Sequence, residues 1–239
     1  MRIAMWSGPR NLSTAMMYAF GARADCAVVD EPFYAAFLAQ NGLDHPMRDA
    51  VLAAQPNIAR DVVAQITGPI PGGAAHWYQK HMAHHMLDGM DLGWMDQMVN
   101  VFLLRHPARV IASYVAKREN PTLEDIGFPQ QLALMQHLRD TGHRPVLVDS
   151  FDIRENPAAA LEKLCDQIGL GFDPTMLHWT AGGHPDDGVW AEHWYGAVRA
   201  STGFAGPEGP APEIPDAMRP LLDAALPIYE EMRGRVGQI

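Results

Sequence analysis

A short run of small and basic residues near the start of the chain could bind an anion. It reads Met5-Trp-Ser-Gly-Pro-Arg-Asn-Leu-Ser-Thr14 and stands between an apolar segment and a helical pattern. Backbone N–H groups at a helix N-terminus point outward, and the helix dipole favours negative charge there. Arg10 contributes a guanidinium, and Ser13 and Thr14 contribute hydroxyls that can bind phosphate oxygens. The pattern predicts a phosphate-binding turn; an ordinary capped helix after a Gly-Pro turn is the alternative.

This turn departs from the Walker pattern GxxxxGK[ST] of nucleoside-triphosphate-binding proteins. Ser13 stands where the pattern has its second Gly, and no Lys precedes Thr14. In Walker proteins the Lys contacts the β- and γ-phosphates and the Ser or Thr holds a magnesium ion. A turn with Arg and without Lys favours a single, less charged group, such as a 5′-phosphate.

A second cation follows another apolar run, in the segment Leu103-Leu-Arg-His-Pro-Ala-Arg-Val-Ile-Ala-Ser-Tyr114. Arg105 comes at the end of the predicted strand, a helix is predicted after Pro107, and Ser113 lies about two helical turns further on. Ligands of parallel sheets bind at the carboxyl ends of the strands. Two anion sites on neighbouring strand ends would fit a ligand with phosphates at both ends of a nucleoside.

Alternating strand and helix patterns explain how these segments could meet. Buried strands are predicted at 2–7, 26–30, 76–80, 98–104 and 144–149. Helices are predicted at 13–23, across 33–66 with breaks near 41–42 and 55–56, after residue 107, and at 129–141, 157–168 and 216–236. Strands separated by helices form parallel sheets covered on both faces. We expect an α/β fold with a three-layer parallel sheet of about five strands, which the family resemblance given below implies to be of the P-loop type. The chain is predicted to be one domain over 1–239, with an irregular Gly/Pro-rich surface segment at 203–215.

The acidic, apolar composition excludes several classes of protein. The 239 residues carry a formal net charge of −10, and 48% are hydrophobic while 19% are charged. This composition excludes global disorder, and the absence of a basic block argues against nucleic-acid binding. Cys26 and Cys165 offer neither a disulfide framework nor a metal-ligand spacing. No run is apolar enough for a secretory signal or a membrane helix, so we expect a cytoplasmic protein without membrane contacts.

The two cationic segments together resemble the sulfotransferase family of P-loop proteins. Gly8-Pro9-Arg10 with Ser13-Thr14 is similar to that family's 5′-phosphosulfate loop, GxPRSGTT, with Asn11-Leu12 in place of Ser-Gly. Residues 104–114 are similar to its 3′-phosphate segment, LRNPxDxxxSxY. The resemblance implies 3′-phosphoadenosine 5′-phosphosulfate (PAPS) as the co-substrate, and no metal. It assigns cofactor binding to Arg10, Asn11, Leu12, Ser13, Thr14, Arg105 and Ser113.

The stretch Asp30-Glu31-Pro32-Phe33 is similar to a Glu-Pro-Phe stretch of bacterial family members. There the Glu is proposed as the base that deprotonates the acceptor, which implies that role for Glu31. A carboxylate favoured at a helix start by the dipole is the alternative. Asp30 is interpreted as a helper or cap.

A cluster of Lys and His follows the third predicted strand, in Tyr78-Gln-Lys80-His81-Met-Ala-His84-His85. The resemblance implies that Lys80 contacts the bridging oxygen and that a nearby His is an alternative base, with His81 the first choice. If the segment turns helical at His81, then His81 and His85 share one face. Such a pair could bind zinc, but no third ligand is evident, and no metal site is predicted.

Two later features are less specific. The segment 183–190 is loosely similar to the family's RKGxxGDW cofactor loop but lacks the Arg-Lys pair. Trp190, Trp194 and Tyr195 stand at helical spacing, and core packing is favoured for them over a platform for adenine or acceptor.

These observations predict a sulfotransferase-like enzyme that transfers a sulfuryl group from PAPS to a hydroxyl or amine of a small-molecule acceptor. A small-molecule kinase with an atypical P-loop and a non-catalytic nucleotide-binding protein are the alternatives. The expected partner is the acceptor alone, without nucleic acid or membrane, and a homodimer is left open.

Overall fold

Five parallel strands form the centre of the protein in a computed structural model that describes residues 1–86, 89–116 and 120–234. The strand order is β2-β3-β1-β4-β5, and every neighbouring pair is parallel. This sheet confirms the predicted α/β fold. The strands are β1 (Arg2–Ser7), β2 (Cys26–Asp30), β3 (His76–Met82), β4 (Val99–Leu104) and β5 (Val146–Asp149).

Helices connect the strands and cover both faces of the sheet. None of them, within the described ranges, is long and apolar enough to cross a membrane. They are α1 (Ser13–Gly21), α2 (Tyr34–Asn41), α3 (Arg48–Ala54), α4 (Ala59–Thr67), α5 (Pro107–Val115), α6 (Phe128–Asp140), α7 (Ser150–Glu155), α8 (Pro157–Ile168), α9 (Ala191–Trp194), α10 (Gly196–Arg199) and α11 (Arg219–Arg233).

The two largest hydrophobic clusters lie on opposite sides of the sheet. In β1, Ala4 and Trp6 pack into one cluster, while Ile3 and Met5 pack into the other. Successive side chains of a strand point to opposite faces, so a strand buried on both faces is apolar throughout. This explains why β1 and β4 are continuous apolar runs in the sequence.

The central strand β1 lies where the chain changes direction across the sheet. Its two neighbours are β3 and β4, and Ser7 is in register with Met82 on one side and Leu103 on the other. Such switch points leave a crevice at the carboxyl ends of the strands, where ligands bind. The loop after β1 therefore begins between the ends of β3 and β4.

Gly8 lets this loop leave the sheet against a neighbouring segment. A Cβ atom at position 8 would lie 2.5 Å from the backbone oxygen of Ile126, which no side chain could tolerate. The carboxamide of Gln131, oriented so that both its ends are satisfied, accepts from the Gly8 N–H at 2.9 Å and donates to the Leu103 carbonyl at 3.2 Å. These contacts fix the direction in which the chain enters the loop.

One expectation about local structure is wrong. The third strand does not end at Lys80 with a helical turn at His81; β3 continues to Met82, and a short 3₁₀ turn follows at Ala83–His85. The segment 203–215 is largely exposed, as expected of a surface segment, but the side chain of Glu208 within it is enclosed by Arg105, Arg109 and Arg154. Because this segment lacks apolar periodicity, its sequence carried no signal for that burial.

Candidate active site

The loop after β1 adopts a conformation that ordinary residues avoid. Arg10 has φ of 58° and Leu12 has φ of 49°, both in the left-handed region, where a non-glycine residue costs about 1–2 kcal/mol. Two bonds compensate: the Asn11 side chain donates to the Leu103 carbonyl at 2.6 Å, and the Arg105 guanidinium donates to the Arg10 carbonyl at 2.5 Å. Backbone strain of this kind is typical of ligand-binding loops.

The start of α1 is not capped by a side chain. Leu12 stands at the cap position, and its side chain has no hydrogen-bond acceptor for the N–H groups of the first turn. Ser13 and Thr14 lie inside the helix rather than at the cap. The alternative of an ordinary capped helix is therefore wrong, and the first turn keeps the anion-binding character of a helix N-terminus.

A cavity of about 330 Å³ lies over the carboxyl ends of the strands. Its volume is in the range of small-molecule sites, about 300–1,000 Å³. Among the described residues, the cavity lining contains every predicted site residue except His81. These lining residues are Arg10, Asn11, Leu12, Ser13, Thr14, Glu31, Lys80, Arg105 and Ser113.

A third hydrogen bond joins the two predicted anion-binding segments, this time between two side chains. The Arg10 Nε–H donates to Ser113 Oγ at 2.9 Å, so the loop after β1 and helix α5 share one wall of the cavity. Burial, and then the charge of Arg105, lowers the pKa of Arg10. A site in which two guanidinium groups already repel each other gains from an anion bound between them.

A third arginine lies at the same end of the cavity. Arg154 on α7 lines the cavity and lies beside Arg105. It was missed at the sequence level, although it follows the end of β5, the strand next to β4 in the sheet. Helix α7 is held there because Asp149, at the end of β5, accepts from the Phe151 N–H at 2.9 Å and from the Tyr229 hydroxyl at 2.6 Å.

The opposite end of the cavity contains a buried lysine between two carboxylates. Lys80, only 1% exposed, donates through Nζ to Asp30 Oδ1 at 2.8 Å and to Glu31 Oε1 at 2.6 Å, and it also contacts the Tyr195 hydroxyl. Burial opposes the charged amine, but the two carboxylates outweigh burial and raise the pKa of Lys80. The lysine is therefore charged at neutral pH.

Tyr195 completes this buried network. Its hydroxyl accepts from the Trp190 indole N–H at 2.9 Å and lies 2.9 Å from both carboxylate oxygens of Asp30 and 3.1 Å from Glu31 Oε1. Burial, followed by the neighbouring carboxylates, raises the pKa of Tyr195 well above its usual value, so the hydroxyl keeps its proton. Tyr195 also lines the cavity. The aromatic spacing predicted packing for it and did not reveal this polar role.

The segment 183–190 holds the Asp30 carboxylate and the Tyr195 hydroxyl in place. The Gly188 N–H donates to Asp30 Oδ2 at 3.0 Å, and the buried Trp190 holds the Tyr195 hydroxyl. No residue of this segment lies among the described residues that line the cavity. The segment that loosely resembles a cofactor loop therefore positions Asp30 and Tyr195.

Glu31 has strained backbone and access to the cavity. Its φ is 40°, and the Gln55 side chain donates to its carbonyl at 3.2 Å. One carboxylate oxygen binds Lys80, while the other lies 3.9 Å from His85 Nε2. Because the side chain lines the cavity while it is anchored on one oxygen, it can accept a proton on the other oxygen.

His81 does not reach this site, which corrects the expectation that it is an alternative base. Its ring stacks on Trp6 at 4.6 Å between centroids, and its Nε2 lies 3.1 Å from Gln79 Oε1. Burial lowers the pKa of His81 to about 3. Consecutive residues of β3 point to opposite faces, so Lys80 faces the site and His81 faces the core.

The other two histidines of that cluster do line the cavity. The His85 ring lies between Tyr34 at 4.7 Å and Phe37 at 4.8 Å, and burial lowers its pKa well below the usual value, so it is neutral. His84 lies next to it, and the two rings meet edge to face. Trp194 and His45 extend this aromatic wall. An aromatic wall with a neutral His85 next to a carboxylate suits an uncharged acceptor group.

The two ends of the cavity thus differ in charge. One end holds guanidinium groups and an uncapped helix start, and the Arg105 Nε is buried without a hydrogen-bond partner in the described chain. The other end holds carboxylates, a charged lysine and a neutral imidazole. The described residues contain no group of three or more His, Cys, Asp or Glu side chains that could hold a metal ion. The arrangement can bind an anionic donor and remove a proton from a neighbouring acceptor.

The chain is similar to known proteins over nearly its whole length. A family model described as a sulfotransferase domain matches residues 1–236. In Arabidopsis thaliana, branched-chain-amino-acid aminotransferase-like proteins 1 and 2 are 35% and 34% identical to this chain over 98% and 97% of its length. The matches cover 42% and 41% of those proteins, so the chain spans about two fifths of their length.

A solved structure shows the same fold. The sulfotransferase domain of the Synechococcus PCC 7002 olefin synthase superimposes with a TM-score of 0.54 at 16% identity, over 98% of this chain and 94% of that domain. With the family model covering nearly the whole sequence, the resemblance first seen in two short motifs is confirmed: the chain belongs to the sulfotransferase family.

Proposed function

We propose that the protein transfers a sulfuryl group from PAPS to a hydroxyl or amine of a small-molecule acceptor. The observation that carries this proposal is one cavity lined by both anion-binding segments and by the carboxylate–lysine network. An anion site or a base alone would fit many enzymes. Their combination in a single cavity fits group transfer from a nucleotide that carries an anionic group at each end.

The cationic end would hold the nucleotide. Arg10, Asn11, Leu12, Ser13 and Thr14 form the strained loop and the uncapped start of α1, which suits the 5′ end. Arg105 and Ser113, at the end of β4 and on α5, suit the 3′-phosphate. An adenosine nucleotide whose two phosphates are not at the 3′ and 5′ positions would leave one of these two sites without an anion.

The base and the lysine act in sequence. PAPS supplies the sulfuryl group, whose sulfur forms a bond to the acceptor oxygen or nitrogen as its bond to the bridging phosphate oxygen breaks. Glu31 takes the acceptor proton. Once Glu31 is neutral, its attraction for Lys80 falls, and an Nζ–H of Lys80 becomes free to stabilise the negative charge on the leaving phosphate oxygen. Lys80 keeps its contact with Asp30, so the amine stays in position.

Calorimetric titration of three nucleotides tests the donor assignment. We expect the desulfated product, 3′-phosphoadenosine 5′-phosphate, to bind more tightly than ADP with magnesium and more tightly than AMP. A preference for ADP would point to a kinase, and no binding of any of the three would point to a protein without nucleotide function. A transfer assay with labelled donor and panels of phenols, alcohols and amines would then identify the acceptor class.

A further inference from the structure

A Pro- and Gly-rich segment crosses the cationic end of the site. Its anchors are Gly203, which pairs with His178 in an isolated antiparallel bridge, and Ile214, which is buried. We call residues 205–213, between these anchors, the strap. The strap contains no helix or strand.

The strap places a carboxylate among three guanidinium groups. Glu208, whose side chain is 6% exposed, pairs with Arg105 through Oε1, with Arg154 at 3.5 Å through the same oxygen, and with Arg109 at 3.3 Å through Oε2. Arg105 and Arg154 line the cavity, whereas Arg109 and Glu208 are not among the described residues that do so. Two arginines therefore stand between the cavity and Glu208 and can serve either.

Backbone carbonyls of the strap bind the same arginines. Arg154 Nε donates to the Gly206 carbonyl at 2.6 Å, and Arg109 donates to the carbonyls of Glu208, at 3.3 Å, and Gly209. Pro207 and Pro210 flank this stretch, and Gly209 has φ of 68°. The strap therefore lies against these arginines, and hydrogen bonds and ion pairs keep it in contact with them.

The charges in this cluster do not balance. Three guanidinium groups face one carboxylate, so two positive charges are left over. A phosphate monoester carries about −1.5 to −2 charges at neutral pH. Its oxygens accept from arginine in the same bidentate manner as a carboxylate. A phosphate therefore attracts these guanidinium groups more strongly than the single charge of Glu208 does and can replace Glu208 as their acceptor.

We infer that Arg154 joins Arg105 in binding the 3′-phosphate, and that Glu208 is a resident anion that competes with this phosphate for both arginines. The inference deepens the proposed function and rests on it for the identity of the nucleotide. Binding of the nucleotide would transfer N–H donors of Arg105 and Arg154 from the strap to the phosphate. Arg109, which does not reach the cavity, would keep the strap attached.

Substitution of Glu208 tests the competition. In the Glu208→Gln variant we expect 3′-phosphoadenosine 5′-phosphate to bind about tenfold more tightly, the factor that one charge-assisted hydrogen bond supplies. AMP, which lacks the 3′-phosphate, should bind the variant and the wild type equally. Glu213→Gln, at an exposed carboxylate of the same strap, should change neither affinity. Unchanged or weaker binding of the 3′-phosphorylated nucleotide by Glu208→Gln would overturn the inference and assign Glu208 to orienting the arginines.

A second probe separates this inference from the proposed function. If the wild type binds no 3′-phosphoadenosine 5′-phosphate, inorganic phosphate is added during thermal unfolding. The inference is supported if phosphate raises the melting temperature more in Glu208→Gln than in wild type, and if adding Arg154→Ala abolishes that rise. The two arginines would then form a phosphate-binding site whether or not the nucleotide is the natural ligand. Equal shifts would overturn the inference. Should Glu208→Gln not fold, Glu208→Asp, which keeps the charge on a shorter side chain, takes its place with the same expected direction.

Discussion

The Arg10 Nε–H donates to Ser113 Oγ across 2.9 Å, between two residues 103 positions apart in the chain. This bond connects the loop after β1 with helix α5, and it orients a guanidinium that lines the cavity. The two anion-binding segments are therefore one continuous surface. The carboxylate–lysine network lies at the other end of the same cavity.

Ser113→Ala should weaken binding of 3′-phosphoadenosine 5′-phosphate by about tenfold, the effect of losing one hydrogen bond to a charged group. The substitution removes the acceptor that orients Arg10, and it removes the Ser113 hydroxyl as a hydrogen-bond partner of the nucleotide. Ser201→Ala is the matched control, because the Ser201 hydroxyl binds Trp179 and Val198 instead. Calorimetry on both variants checks the prediction, and equal affinities would contradict it.

Glu31→Gln should lower the rate of sulfuryl transfer by about 10²- to 10⁴-fold, the usual contribution of a general base. The amide keeps the size of the side chain but cannot accept the acceptor proton, so affinity for the donor product should change little. Glu192→Gln, at an exposed carboxylate of α9, should leave the rate unaltered. A transfer rate in Glu31→Gln near that of wild type would assign the base role to another group.

Lys80→Met should destabilise the protein by about 3–5 kcal/mol, the cost of leaving a buried charge without its partner. Asp30 and Glu31 would then face each other with no cation between them. Adding Asp30→Asn removes one of those charges and should restore part of the free energy of unfolding. Urea denaturation of both variants measures the difference, and an unchanged midpoint in Lys80→Met would argue against the ion pair.

The buried His81 makes stability depend on pH. Its pKa is about 3 in the folded state and about 6.5 when unfolded. The unfolded chain therefore binds more protons between these values, and the free energy of unfolding falls as pH is lowered from 6.5 towards 3. His81→Phe should reduce that slope by up to about 1.4 kcal/mol per pH unit. The transfer rate should be retained, because His81 lies in the core. Loss of activity in a folded variant would contradict this and would indicate that His81 takes part in the reaction.

Strand ends and their cations could be predicted from the sequence. Arg10 and Arg105 follow continuous apolar runs, and the rule that ligands bind at the carboxyl ends of parallel strands brings them together. Glu31 directly follows β2 and fits the same rule, whereas the role of Lys80 was implied by the resemblance, and Lys80 lies inside β3, two residues before its end. The rule should also have found Arg154, which comes after the short strand β5, but a cation inside a six-residue helix gives little local signal.

Contacts between distant segments were beyond the sequence. Glu208 lies in a stretch without apolar periodicity, so nothing in its local pattern indicates burial beside three arginines. Tyr195 shows the converse, since its aromatic spacing indicates packing while its hydroxyl binds Lys80. His81 could have been assigned correctly, because the alternation of a strand that continues past Lys80 puts neighbouring side chains on opposite faces.

The claim that two cationic sites bind opposite ends of one nucleotide is tested most directly with Arg105→Ala. Calorimetric titration of this variant and the wild type with 3′-phosphoadenosine 5′-phosphate and with AMP gives four affinities. We predict that the variant binds the doubly phosphorylated nucleotide about 10- to 100-fold more weakly, as expected for losing hydrogen bonds from a charged group. AMP should lose less affinity, because Arg105 reaches the 5′ loop only through the Arg10 carbonyl. Equal affinity of the two proteins for 3′-phosphoadenosine 5′-phosphate would contradict the claim.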